Sequence, residues 1–331
     1  MTPPFVFVAT LSRASQFTQQ SMLDPAGPKA RGVYDFWIFL IVVATAVFAV
    51  VLAAMLFGLF HRHRTSDPES PRVERTITRW VGVSVGATTA ILLTFLVLDF
   101  RLGRAIAAPG HETPLSIEVI GHQWWWEIQY PDSVTSSNWI YTANEIHIPV
   151  GRPIVLRMTA RDVIHSFWVP NLSGKKDLIP GKTTETWIQA DSIGVYRGQC
   201  AEFCGHQHAN MAMEVVAESP QDFERWAAQM RAPSHLPDDS LRKAGQLVFV
   251  AGSCSNCHSI GGTPASGRIG PDLTHLASRR TIAAATLPNS RGNLAGWILD
   301  PQTIKPGAMM PANGLDPDQL QSLLAYLESL K

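Results

Sequence analysis

The chain has 331 residues, with 27 Lys and Arg against 27 Asp and Glu, and only four cysteines. This length is enough for two or three domains of roughly 100–150 residues each. The zero net charge excludes the strongly basic composition that is typical of many nucleic-acid-binding proteins. The cysteines form two close pairs, Cys200 with Cys204 and Cys254 with Cys257, a pattern that indicates two local cofactor sites rather than disulfides that staple a small fold.

Two uncharged segments come first in the chain. Residues 36–60 and 80–98 contain no Asp, Glu, Lys or Arg. Because a helix needs about 20 apolar residues to cross a bilayer core of roughly 30 Å, we predict transmembrane helices at about 36–60 and 80–100. The alternative, two buried helices of a soluble core, fits runs of this length poorly.

The loop between the two predicted spans is rich in arginine. It contains Arg62, Arg64, Arg72, Arg75 and Arg79. The positive-inside rule places such a loop in the cytoplasm, so we expect the N- and C-terminal parts on the periplasmic side of a bacterial inner membrane. Residues 1–16 lack the basic start and the long apolar core of a cleavable signal peptide.

Short segments rich in β-branched and aromatic residues begin at about Leu115. They are LSIEVIGHQWWWEIQY, NEIHIPV, PIVLRMTA, TETWIQA and MAMEVVA, and Gly, Pro and Asn separate them. Their spacing predicts an antiparallel β-sandwich or barrel.

A polar stretch with two prolines, residues 232–239, predicts a linker, and the pattern beyond it is helical. Asp316 is a predicted N-cap with Pro317 at the first helical position of a final helix. We therefore divide the chain into 1–104 with the two spans, 105–230 as an all-β domain, 231–239 as a linker and 240–331 as an all-α domain.

The segment CAEFCGHQHANM, residues 200–211, places soft ligands unusually close together. A disulfide would use only Cys200 and Cys204, and a zinc site has little use for Met211. Copper accepts thiolate, imidazole and thioether ligands, so the segment predicts a copper site. A two-metal site lacks one imidazole in this loop, and His165 in the apolar segment IHSFWVP is the candidate. His206 is left over and is predicted to be a loop or surface residue.

Residues 254–258 read CSNCH, the pattern that attaches a c-type haem through Cys254 and Cys257, with His258 as an axial ligand. A redox dithiol or half of a zinc site is the alternative, but no second C-x-x-C is present. A methionine commonly completes the iron's coordination, and IKPGAMMP offers Met309 and Met310.

The segments AGQLVFVAGSCSNCHSI, GPDLTHL and NLAGWILDPQTIKPGAMMP resemble the class I cytochrome c family. In that family the axial methionine directly precedes a proline, which implies Met310 as the ligand and leaves Met309 for core packing. By the same resemblance, Pro271 is expected against the haem.

The two predicted spans, GHQWWWEIQY, DVIHSFWVPNLSGKKDLIPG and CAEFCGHQHANM together resemble subunit II of cytochrome c oxidase. This resemblance covers nearly all of the first 230 residues. It implies a cupredoxin-like sandwich with a dinuclear copper A centre of two copper ions. The implied ligands are His165, Cys200, the Glu202 carbonyl, Cys204, His208 and Met211.

The same resemblance implies further roles. Trp124, in the run Trp124–Trp126, matches the residue through which electrons enter, although inward packing is also expected for one or two of the three. Glu202 and Asp177 match positions near a magnesium site shared with subunit I. Glu74 is the one candidate for a proton-channel glutamate, at a longer spacing to Trp80 than the family pattern leads us to expect.

The expected function is electron transfer from the c-type haem to copper A and on to subunit I of a proton-translocating oxidase. Implied partners are subunits I and III, membrane lipid, and a donor such as soluble cytochrome c or an upstream respiratory complex, without nucleic acid. A quinol oxidase subunit would lack the copper ligands, and a nitrous-oxide-reductase-type domain would lack these spans. A free membrane-anchored carrier or copper-delivery protein remains an alternative that co-purification distinguishes.

The two extramembrane parts carry opposite charges. Residues 105–230 hold 14 Asp and Glu against 8 Lys and Arg, a net of −6, and residues 239–331 hold 6 against 8, a net of +2. Opposite charges favour encounter and orientation, and a short tether adds an effective concentration on the order of millimolar. The haem edge is therefore expected to dock near Trp124.

Overall fold

The computed structural model describes residues 20–60, 71–107, 115–132, 138–234 and 236–331. Two long helices come first, α1 (Pro28–Phe60) and α2 (Pro71–Ala107), and both begin before the predicted positions 36 and 80. Their most apolar windows have mean hydropathies of 3.0 and 2.2, so by length and composition both helices can cross a membrane. The predictions for residues 1–16, Arg62 and Arg64 lie outside the described residues. The prediction of a loop is wrong for Arg72, Arg75 and Arg79, because the helix continues through them and all three lie in α2.

The next part of the chain is a sandwich of two five-stranded sheets. The first sheet contains, in spatial order, β3 (Ile140–Ala143), β2 (Trp125–Tyr130), β1 (Leu115–His122), β5 (Ile154–Ala160) and β8 (Thr184–Ile188). The second contains β4 (Glu145–Pro149), β10 (Ala212–Glu218), β9 (Gly194–Cys200), β6 (His165–Trp168) and β7 (Lys176–Leu178). Each predicted strand segment forms a strand, and the longest one supplies both β1 and β2.

The predicted sandwich is confirmed, but the predicted antiparallel pairing is wrong for two pairs of strands. β1 pairs in parallel with β5, and β10 pairs in parallel with β4. Parallel neighbours need a long connection, and the members of both pairs lie far apart in the sequence. Alternation along one strand predicts which face is buried but carries no information on the direction of its partner.

The sandwich core comes from the alternating pattern of these strands. Ile117 and Val119 of β1 and Ile128 of β2 are fully buried, and so is Trp126. Each such side chain contributes roughly 1.5–3 kcal/mol when it leaves water, so the sheets form a stiff frame for the loops at their ends. Helix α3 (Pro220–Arg231), with Ser219 as its N-cap, packs buried apolar residues on this core.

The C-terminal part is helical, with one short hairpin. It contains α4 (Ser240–Ala251), α5 (Cys254–Cys257), β11 (Thr281–Ile282), β12 (Leu287–Pro288), α6 (Arg291–Leu299), α7 (Pro301–Ile304) and α8 (Pro317–Leu327). The predicted cap is confirmed, because Asp316 forms a capping box with Gln319 at the start of α8. α4 and α8 pack closely at Gly245, where a Cβ would lie 2.0 Å from the Ser322 carbonyl oxygen.

Candidate copper and haem sites

The loop between β9 and β10 meets the start of β6, and this junction gathers soft ligand atoms. Cys200 Sγ lies 3.8 Å from Cys204 Sγ and 3.9 Å from His165 Nδ1. Cys204 Sγ lies 3.7 Å from His208 Nδ1 and 3.9 Å from Met211 Sδ. Each thiol therefore has its own imidazole, and the two thiols lie side by side between them.

The remaining predicted metal residues divide between this cluster and the surface. The Glu202 carbonyl oxygen lies 3.2 Å from Cys200 Sγ, whereas the side chains of Glu202 and Asp177 are exposed. His206 is exposed, as predicted. In the described part of the chain, one group of three or more His, Cys, Asp or Glu ligand atoms lies within 4.8 Å: His165, Cys200 and Cys204.

Regular structure holds these side chains in place. Cys200 is the last residue of β9 and His165 is the first residue of β6, so both are fixed by strand pairing. A backbone hydrogen bond of 2.8 Å from Cys200 N–H to the Met211 carbonyl closes the loop. His165, Cys200, Cys204 and Met211 are buried, so most of the cluster lies inside the protein.

Sequence reasoning missed Asp162, which orients His165. Asp162 Oδ1 lies 2.8 Å from His165 Nε2, and Asp162 Oδ2 accepts a 2.7 Å hydrogen bond from Gln123 N–H. When Nε2–H donates to this carboxylate, the lone pair of Nδ1 faces Cys200. A carboxylate behind a metal-binding imidazole is a common supporting partner, and the segment RDVIH carries it three residues before the histidine.

The two thiols have very different proton affinities. Hydrogen bonds from Cys204 and His165 outweigh burial and lower the pKa of Cys200 to about 3. The neighbouring Cys200 sulfur and burial raise the pKa of Cys204. Hydrogen bonds to Cys200 and Asp162 outweigh burial and raise the pKa of His165. Metal binding needs deprotonated thiols and a neutral imidazole, so a bound metal would displace the protons that these groups hold.

Gly121 on β1 permits the close approach of His165. A Cβ at Gly121 would lie 2.7 Å from His165 Cδ2. We expect Gly121→Ala to displace the imidazole and to lower copper affinity by roughly 10–100-fold, the range seen when the support of a metal ligand is lost. Competition with a copper chelator measures this effect. Gly174→Ala is the control, because a Cβ there meets nothing within 4 Å, and equal affinities of both variants would contradict the prediction.

A cavity of about 330 Å³ lies among the C-terminal helices and reaches the sandwich. Cys254, Cys257 and His258 of the CSNCH motif line it, as do Met309 and Met310. Met310 is half-buried, but Met309 is 74% exposed, so the expectation that Met309 packs in the core is wrong. The two methionines are adjacent and of the same residue type, so the sequence alone does not indicate which of them points outwards.

His258 has a fixed orientation in this cavity. Its Nδ1 lies 2.7 Å from the Pro271 carbonyl oxygen, and donation there leaves Nε2 available to a metal. Pro271 also lines the cavity, as expected. A Cβ at Gly270 would lie 2.5 Å from His258 Cε1, so this glycine gives the imidazole its room. Burial lowers the pKa of His258, which favours the neutral, metal-binding form.

Trp124 touches both sites. Its indole Nε1 donates a 2.9 Å hydrogen bond to the Cys204 carbonyl, and Gln123 Nε2 donates to the same oxygen at 2.7 Å. Trp124 and Trp125 also line the cavity that contains the CSNCH residues. Trp126 is fully buried in the sandwich core, so one of the three tryptophans packs inward, as expected.

Further polar contacts join the helical part to the sandwich. Arg280 donates from its backbone N–H to Glu145 at 3.0 Å and from Nε to Glu214 at 3.2 Å, a pairing that agrees with the opposite charges of the two parts. Ala212 N–H donates to the Ala284 carbonyl at 3.2 Å. Ala284 lies in a run of three alanines with positive φ, between β11 and β12, and the sequence gives no hint of this turn.

Two family models match separate parts of this chain. The family described as cytochrome c oxidase subunit II, periplasmic domain, matches residues 115–219, and the family described as cytochrome c matches residues 243–331. Cytochrome c oxidase subunit 2 of Alkalihalophilus pseudofirmus is 36% identical over 93% of this chain and 90% of its own length. Cytochrome c oxidase subunit 2 of Bacillus subtilis is 28% identical over 94% and 92%.

A solved structure is similar to part of this chain. The periplasmic domain of subunit II of the cytochrome oxidase of Bradyrhizobium japonicum is 31% identical and covers 36% of this chain and 95% of its own, with a TM-score of 0.34. Because these two relatives cover 93% and 94% of this chain, their matches extend over the two long apolar helices, the sandwich and the C-terminal helices together. The chain belongs to the cytochrome c oxidase subunit II family, as a membrane-anchored electron-transfer subunit of a terminal oxidase that carries a copper A domain and a cytochrome c domain.

Proposed function

We propose that this chain transfers electrons from a c-type haem in residues 240–331 to a dinuclear copper A centre in residues 105–230. Subunit I would then receive them and reduce oxygen to water, coupled to proton translocation. The observation that carries this proposal is the position of Trp124. It lines the cavity that contains the CSNCH residues, called the haem-side cavity from here on, and is hydrogen-bonded to the Cys204 carbonyl. One side chain thus bridges the two candidate sites.

For the copper centre, the fit rests on chemistry and distance. We assign Cys200 and Cys204 as bridging thiolates, His165 and His208 as one imidazole for each of two copper ions, and Met211 as a thioether ligand. The Glu202 carbonyl completes the set. Four contacts of 3.7–3.9 Å among the sulfur and nitrogen atoms support this set, since a metal ion placed between them would reach several ligands at once. The copper pair would supply a one-electron redox centre.

For the haem, we assign thioether bonds to Cys254 and Cys257 and axial ligation to His258 and Met310. A haem supplies a second one-electron centre when it is bound. The fit is supported by the fixed His258 ring and by Arg279, a buried guanidinium that lines the cavity and whose Nε has no hydrogen-bond partner among the described residues. A haem carboxylate would match this donor.

The two methionines provide a test of the axial ligand. We expect Met310→Leu to keep the haem covalently attached but to lower its reduction potential by on the order of 0.1 V, within the roughly 0.8 V that axial ligands span. Met309→Leu is the matched control and should leave the potential near that of the parent. A potentiometric titration measures both, and a drop confined to the Met309 variant would reverse the assignment.

We further propose that α1 and α2 both cross the membrane, with the arginine-rich segment between their apolar parts in the cytoplasm and the sandwich and helical parts in the periplasm. The exposed carboxylates of Glu202 and Asp177 would face a magnesium site at subunit I. Exposure of Phe203, next to the Cys204 ligand, supports a protein contact on this side of the site. Subunit III, lipid and a cytochrome or upstream-complex donor are the other proposed partners.

Purification of the complex through a tag on this chain tests the proposal. Metal and haem analysis should find two copper ions and one covalent haem on this chain, with the other oxidase subunits present. After flash reduction of the haem, the electron should appear on copper before oxygen is consumed. Isolation of this chain alone, loaded with both cofactors but without oxidase subunits, would instead support the membrane-anchored carrier.

A further inference from the structure

Lys305 is a buried lysine that the proposed ligand sets do not use. It directly follows α7, only 3% of its surface is exposed, and it lines the haem-side cavity. Burying a charged ammonium is costly unless hydrogen bonds replace the water it loses. Burial lowers the pKa of Lys305 to about 7. The buried position of Lys305 therefore indicates a structural or functional role.

The contacts of Lys305 cross from the cytochrome c domain to the copper domain. Its Nζ donates a 2.8 Å hydrogen bond to the Trp124 carbonyl and a 3.2 Å hydrogen bond to the Ala283 carbonyl. Trp124 in turn donates from its indole to the Cys204 carbonyl. The ammonium thus holds the same residue that bridges the two candidate sites.

Neighbouring contacts make this attachment a defined surface. Pro306, next in the chain, accepts a 2.7 Å hydrogen bond from Gln207 Nε2, in the loop that carries the predicted copper ligands. Gly307 lies against the Trp124 ring, where a Cβ would be 3.8 Å from the indole. The segment 305–307 therefore covers the Trp124 side of the copper loop. Lys305 contributes a side-chain hydrogen bond, Pro306 a backbone acceptor and Gly307 a contact with the indole ring.

We propose that Lys305 is a positioning residue, which fixes the cytochrome c domain against the backbone of Trp124 and so sets the geometry of haem-to-copper electron transfer. This inference deepens the proposed function and rests on it. Lys305 itself carries no electron and binds no metal. Its role is to hold the two domains at one separation, because the carbonyl oxygen that accepts its hydrogen bond belongs to Trp124.

The test uses the complete oxidase with Lys305→Met, which keeps the length of the side chain and removes its donors. We expect haem-to-copper transfer after flash reduction to slow by about tenfold, the scale of one charge-assisted hydrogen bond. Amide hydrogen exchange around Trp124 and Ala283 should become faster. The haem potential and the optical spectra of both cofactors should stay at parental values, which also shows that the variant is folded.

Two further variants define the control and the rescue. Lys305→Arg keeps a charged donor and should recover part of the rate. Lys243→Met removes the same charge from the exposed face of α4 and should behave as the parent. Parental transfer in Lys305→Met would overturn the proposal. A slow rate accompanied by a shifted haem potential would also overturn it, because Lys305 would then act on the haem and not on docking.

Failure of this inference is distinguishable from failure of the proposed function. If Trp124→Ala slows transfer and Lys305→Met does not, only the positioning role of Lys305 is lost. If Trp124→Ala transfers at the parental rate, electrons reach copper elsewhere and the proposed path fails, whatever Lys305→Met does.

Discussion

Cys200→Ser is expected to abolish the copper A centre while the haem stays covalently attached. Cys200 lies within 4 Å of both Cys204 Sγ and His165 Nδ1, so in the proposed site its thiolate is shared by both metal ions. A serine hydroxyl is a poor ligand for soft copper, and loss of one shared ligand removes a contact from both ions at once. Copper analysis of the purified chain and the mixed-valence copper signal measure the loss.

His206→Ala is the matched control for that experiment. His206 lies in the same loop, two residues from His208, but its side chain is exposed and belongs to no ligand contact described above. Its copper content and spectrum should match those of the parent. Retention of two copper ions in the Cys200→Ser chain would refute the dinuclear assignment.

Trp124→Ala is expected to slow haem-to-copper transfer by on the order of a hundredfold, the cost that a misplacement of about 1 Å can carry in a positioned reaction. The indole fills the space between the haem-side cavity and the Cys204 carbonyl, and alanine leaves that space without a contact. Flash kinetics over a salt series measure the rate. Trp124→Phe keeps an aromatic ring without the Nε1 donor, so it separates the ring from its hydrogen bond.

Trp125→Phe is the control, since Trp125 lines the same cavity but stacks on His122 instead of bonding to the copper loop. The salt dependence of the parent should be weak. Exposed charges are largely screened beyond a Debye length of about 8 Å, whereas the contacts of Lys305 and Glu145 are buried and tethered. A Trp124→Ala rate equal to that of the parent would place electron entrance to copper elsewhere.

Much of the candidate copper site follows from the sequence because its ligands are local. Five of the six proposed copper ligands lie within the twelve residues 200–211, where spacing along the chain nearly determines spacing in space. His165 lies outside that window, and it was found because the loop lacks one imidazole. The same reasoning finds CSNCH, and the cap at Asp316 follows from its local rule.

The features that sequence reasoning missed depend on contacts between distant segments. Asp162 matters because its carboxylate meets the ring of His165, and Lys305 matters because a carbonyl 181 residues away accepts its hydrogen bond. Hydropathy predicted both long apolar helices but placed their starts where the apolar run begins, whereas the helices begin earlier, at Pro28 and Pro71, among polar residues. Helix formation depends on backbone geometry and not on apolar composition alone.

The position of Trp124 inside the lining of the haem-side cavity has a kinetic consequence. In the proposed electron path Trp124 faces the cytochrome c domain of its own chain and not a soluble protein, so delivery to copper would be a unimolecular event. Its rate should be independent of donor concentration, and saturation of turnover should report only the binding of the donor at the haem. A mutation that exposes Trp124 would make electron delivery to copper depend on donor concentration. The kinetic order of copper reduction would then report whether the cytochrome c domain is docked at Trp124.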